Sequence, residues 1–73
     1  MRVMWEAKDI RCGRRYSKEG IGETWIIGYR SDLEGEERYI SASDQDGMVT
    51  PPRTKEALAQ SLTENEYLPV ELL

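Results

Sequence analysis

The stretch IRCGRRYSKEG, from Ile10 to Gly20, holds Arg11, Arg14, Arg15 and Lys18 around one aromatic residue, Tyr16. Guanidinium forks match the paired oxygens of carboxylates and phosphates, and a tyrosine ring can stack on a base or fill a cleft in a partner. These five residues form the candidate partner-binding set. Their charge is out of keeping with the chain, whose 10 Lys and Arg against 14 Asp and Glu leave a net charge of −4. It is also unevenly placed: residues 1–30 hold seven Lys/Arg and four Asp/Glu, whereas residues 31–73 hold three and ten. Clustered arginine with tyrosine is the composition of interfaces rather than of ordinary surface. The targets to weigh are carboxylates of a protein partner, phosphates of nucleic acid, or neither. In the last case the stretch is a solvated hairpin end that keeps a sheet edge soluble. A net-negative domain repels a duplex at long range, so nucleic acid is the alternative and protein carboxylates are the leading target.

Little else in the chain suits catalysis. There is no histidine and Cys12 is the sole cysteine, which removes zinc sites, Ser–His and Cys–His pairs and imidazole acid–base work. SDQDG, Ser43 to Gly47, has two acidic residues and the glycine of a calcium loop. It lacks the earlier Asp and the distal bidentate Glu, and reads as an Asx-type turn. Glu34, Glu36 and Glu37, with Asp32, Asp44 and Asp46, form acidic turns that would imitate phosphates toward a basic host protein. Their simpler reading is solvated surface. The expectation is a protein that is not an enzyme and needs no metal or cofactor.

A 73-residue chain holds one domain, here 1–73, and buries only about 60% of its unfolded surface. One cysteine permits no internal disulfide, MRVMWEAKD lacks the apolar core of a signal peptide, and no apolar run is longer than Trp25-Ile26-Ile27. A cytoplasmic protein with no membrane contact is expected.

The elements that must position the basic stretch follow from periodicity. MRVMWEAKDI alternates, with Val3, Trp5 and Ala7 opposite Arg2, Met4, Glu6 and Lys8, the period of a strand. ETWIIGYR, Glu23 to Arg30, puts Trp25, Ile27 and Tyr29 on one face, and Gly28 suggests a bulge or a close approach. A polar turn around Gly35 leads to a third strand, ERYISAS, Glu37 to Ser43. DQDGMVTPP then ends the sheet. TKEALAQSLTENE is a helix with Thr54 as N-cap, Glu56 near its positive end, and Leu58 and Leu62 one turn apart. The tail YLPVELL, residues 67–73, is apolar and either packs back on the sheet or is presented to a partner. Strand, strand, strand, helix with short connections predicts an α+β domain. Its three-stranded antiparallel meander would carry one C-terminal helix packed on one face, with Trp5, Trp25 and Leu58 in a common core. The basic stretch falls in the loop of the first hairpin.

Over its full length, from MRVMWEAKDIRCGRRY to DGMVTPPRTKEALAQSL, the chain resembles the small regulators, encoded by phages of Xanthomonas, that bind bacterial RNA polymerase. That resemblance implies a protein of the bacterial host cytoplasm that contacts the large polymerase subunits. It further implies that the protein displaces the sigma factor, inhibits initiation and can promote antitermination. It assigns no residue a role.

Overall fold

A computed structural model describes residues 2–73. The chain forms strand β1 (Arg15–Ser17), strand β2 (Trp25–Tyr29), strand β3 (Tyr39–Ser43), helix α1 (Lys55–Glu64) and strand β4 (Leu68–Pro69), with single 3-10 turns at Ala7–Asp9 and Val70–Leu72. It is an α+β domain with one helix and an antiparallel sheet in the order β3-β2-β1-β4. The sheet has four strands where three were expected. The strands β1, β2 and β3 form the meander, and β4 comes from the apolar tail.

The first expected strand is absent. Residues 2–6 belong to no strand, residues 7–9 form a 3-10 turn, and Met1 lies outside the described residues. The alternation is nonetheless physical: Trp5 is buried and Val3 packs against the core, while Arg2, Met4, Glu6 and Lys8 are exposed. A segment laid on a core can bury every second side chain whether or not its backbone joins a ladder. Here the backbone is satisfied by a side chain instead, the Trp5 N–H donating to Thr63 Oγ1 at 2.8 Å.

The second half of the basic stretch supplies the missing strand. Arg15 and Tyr16 pair with Ile26 and Trp25 of β2, and Tyr16 and Ser17 pair with Pro69 and Leu68 of β4. The tail enters the sheet through Leu68–Pro69, which lie along its edge beside β1. Pro69 fits there because an edge strand need not donate on its outer side.

The strands β2 and β3 pair in regular register from Trp25↔Ser43 to Tyr29↔Tyr39. Gly28 sits opposite Ile40 without a bulge, and a Cβ there would meet Ile40 only at 3.9 Å, so neither reason offered for this glycine holds. After β3, Asp46 Oδ1 accepts from the Met48 N–H at 3.0 Å in an Asx turn, with Gly47 at φ 72°. The segment that follows does not leave the sheet: Val49 and Arg53 bridge back to Ala42 and Tyr39 and cover the β3 edge.

Helix α1 begins as expected, with the Thr54 hydroxyl accepting from the Ala57 N–H at 3.0 Å. Its apolar stripe, Leu58, Ala59 and Leu62, faces the sheet side chains Tyr16 and Ile27. Trp5 and Ile10 complete this core, with Trp25, Tyr39 and Tyr67 packed at its margin. The expected grouping of Trp5, Trp25 and Leu58 is present, Trp25 being half-buried. No helix among the described residues is long and apolar enough to cross a membrane.

Candidate functional site: an arginine-lined concavity

The turn before β1 is anchored from below by Ile10, whose exposure is 0%. Gly13 at φ 87° lets the chain reverse there, a conformation that costs other residues strain. Its N–H donates to Ile27 O at 2.7 Å, and the Ile27 N–H donates back to Arg14 O at 2.9 Å. The turn is thus tied to the middle of β2, and the arginines on it project from a fixed backbone.

Arg11, Arg14 and Arg15 line one open concavity of about 430 Å³ around Cys12 and Gly13, closed on its far side by Val70 and Glu71. Their environments differ. Arg14 is held: its Nη2 lies 3.0 Å from Glu71 Oε1, its guanidinium sits 5.6 Å from the Trp5 ring centroid, and its side chain is 18% exposed. Arg11 and Arg15 are exposed and form no ion pair among the described residues. One carboxylate therefore faces three guanidinium groups, and two of those keep their donors for an external anion.

The other two residues of the candidate set lie elsewhere. Lys18 projects past the opposite end of β1, its ammonium 4.8 Å from the Tyr67 ring and 3.5 Å from Asn65 O. It does not share the arginine concavity. Tyr16 is 4% exposed and belongs to the core. Its ring meets Trp5 and Tyr67 edge-on at centroid distances of 6.1 and 5.0 Å. It has no free face for a base or a partner cleft, and that expectation is corrected. The cause is strand alternation: once Arg15–Ser17 is a strand, Arg15 and Tyr16 must point to opposite faces. Burial pushes the Tyr16 phenol up to about 12, with Ser41 and Arg53 pulling it down and Tyr67 adding to the rise. Ser41 Oγ lies beside that phenol but meets full hydrogen-bond geometry with no described atom.

Sequence reasoning missed Glu71 and Val70, which the tail brings to the concavity from far along the chain. No local signal announces them. The acidic turns stay separate. Asp32 pairs with Arg30, whose hydrogen bond holds the carboxyl below its usual range, and Asp44 accepts from the Thr24 N–H at 3.0 Å. Among the described residues no group of three His, Cys, Asp or Glu is placed to hold a metal ion. Comparison with family models, curated proteins and solved structures finds no match for this chain.

Proposed function

We propose that the chain is a non-enzymatic binding module whose Arg11–Arg14–Arg15 concavity takes an acidic element of a protein partner. One observation carries this reading: three guanidinium groups share one open surface depression with a single carboxylate, and two of them have no ion pair among the described residues. The turn that carries these arginines is tied to β2, so little backbone freedom is lost on binding, and the planar guanidinium fork suits a protein carboxylate held bidentately. The buried Tyr16 leaves the stretch without a stacking face, so the nucleic-acid reading of the same patch loses its aromatic half.

The partner proposed is bacterial RNA polymerase, acting through its large subunits, with inhibition of sigma-dependent initiation and antitermination as the outcome. This identification rests on the sequence resemblance. Capture from bacterial lysate on immobilised protein, followed by mass spectrometry, tests it. Enrichment of polymerase subunits that is lost in the Arg11→Glu, Arg15→Glu variant, together with reduced initiation in a reconstituted transcription assay, supports the proposal. Capture of nucleic acid alone, with a steep salt dependence, overturns it.

A further inference from the structure

A trough lies between α1 and residues 4–7 of the N-terminal segment. Its base is Trp5, Ala59 and Thr63, which are buried. Met4 borders it with 73% exposure, an apolar side chain left to water. The volume is about 370 Å³. A cavity of about 150 Å³ already holds a benzene ring, so there is room here for apolar side chains of a partner.

The side-chain polar groups of the base are already engaged within the fold. The Trp5 indole donates to Tyr67 O at 2.8 Å. The Thr63 hydroxyl accepts from the Trp5 N–H at 2.8 Å and donates to Ala59 O at 2.9 Å. The rim differs, being polar and of one sign. Glu6, Glu56 and Glu64 line it and are exposed, and no lysine or arginine does. Glu56 and Glu64 lie two turns apart in α1, roughly 12 Å along its axis, with Gln60 midway on the same face. Neither takes part in an ion pair among the described residues. Glu6 belongs to the N-terminal wall, and its 3.3 Å contact with Lys8 joins two exposed side chains, a weak surface pair. Three carboxylates thus frame an apolar trough.

We propose that this trough docks a basic amphipathic segment of a protein partner. The segment's apolar side chains lie on Trp5 and Ala59 beside Met4, and its lysines or arginines reach Glu6, Glu56 and Glu64. Charge complementarity selects this occupant. An acidic element of the kind proposed for the arginine concavity is repelled here, and so is a nucleic acid. A cation alone leaves the apolar base uncovered, and a neutral apolar segment leaves the carboxylates without a counter-charge. The trough and the arginine concavity share no lining residue, so either can fail as an interface while the other stands.

The test is a titration of the full chain, at physiological salt, with a synthetic lysine–leucine peptide whose leucines fall on one helical face, followed by nitrogen-resolved NMR. Two control peptides replace leucine by serine, or lysine by glutamate. The expected result is a saturable shift of the Trp5 indole signal and of the Ala59, Gln60 and Thr63 amides, with much weaker responses to both controls. Glu56→Gln, Glu64→Gln, at exposed positions, should weaken binding roughly fivefold or more. Glu34→Gln, Asp46→Asn removes the same charge outside the trough and should leave binding unchanged. Met4→Ser removes apolar surface at its border and should weaken it. Three results overturn the proposal: no saturable shift at these signals, an equal response to the serine peptide, or undiminished binding by folded Glu56→Gln, Glu64→Gln. Concentration-dependent shifts of the same signals without peptide would assign the trough to a second copy of the chain, and overturn it as well.

Discussion

The Trp5 backbone N–H and the Thr63 hydroxyl meet at 2.8 Å, and this contact fastens the N-terminal segment to the helix. The Thr63 hydroxyl itself donates to Ala59 O at 2.9 Å, so it accepts from one segment while donating within the other. Both groups are shielded from water, and Trp5 is 5% exposed. A segment that joins no sheet is thereby held with one of its backbone donors satisfied.

Thr63→Val keeps the shape and removes the acceptor. The Trp5 N–H is then buried without a partner, which costs about 1–3 kcal/mol. Thr63→Ser should restore most of that loss. Denaturant midpoints of the three proteins check the ordering; equal midpoints for valine and threonine would mean the N-terminal segment is not docked as described.

Leu58 is 5% exposed and belongs to the same core cluster as Trp5, Tyr16 and Ile27. Leu58→Ala leaves a cavity between helix and sheet and should cost about 2–5 kcal/mol. For a domain with this little core, that is a large part of the total stability, which is about 5–15 kcal/mol even for typical domains. Thermal unfolding measures it, and an unchanged melting temperature would show that α1 does not pack on the sheet.

The Tyr16 phenol stands at about 12 in the folded chain against its ordinary 10.0, because burial disfavours the phenolate. A folded pKa raised above the unfolded one gives stability that is complete below pH 10 and lost as pH rises toward 12. The wild-type unfolding midpoint should therefore fall across that window. Tyr16→Phe removes the titrating group, and its midpoint should fall less steeply over the same range. Parallel curves for the two proteins would place Tyr16 outside the core.

The parts of this fold that were legible in the sequence are those whose signal is local. Thr54 and the Leu58–Leu62 spacing define α1, and the alternation Trp25, Ile27, Tyr29 defines β2, because each pattern lies within one element. Residues 2–8 misled because side chains alternate between core and solvent there without any strand pairing, and the chain enters a 3-10 turn at Ala7. Arg15–Ser17 and Leu68–Pro69 were missed as strands because three and two residues are too short to show a period. The arginine cluster was visible as composition. Its division was not: the burial of Arg14 against Trp5 and Glu71, and of Tyr16 in the core, depends on contacts between distant parts of the chain.

That division changes which substitutions can test the proposed interface. The sequence pattern places Arg11, Arg14 and Arg15 together in the loop of the first hairpin, where surface substitutions usually cost the fold little. Arg14 is instead packed over Trp5 and paired with Glu71, so Arg14→Glu loses the ring contact and sets two carboxylates against each other. It should lower the melting temperature, and loss of binding in that variant would say little about direct contact. Arg11 and Arg15 are exposed, and substitutions at such positions usually stay within about 0.5 kcal/mol. The Arg11→Glu, Arg15→Glu protein should therefore melt close to wild type while its partner binding collapses, since attraction is replaced by repulsion. Weakening should appear mainly in the association rate and its salt dependence if the contacts lie at the rim of the interface, and in dissociation if they are enclosed. Lys18→Glu serves as the internal comparison, because Lys18 lies over Tyr67 beyond the concavity and should matter less to binding. Full partner binding by the doubly reversed, folded variant would remove the concavity as the interface.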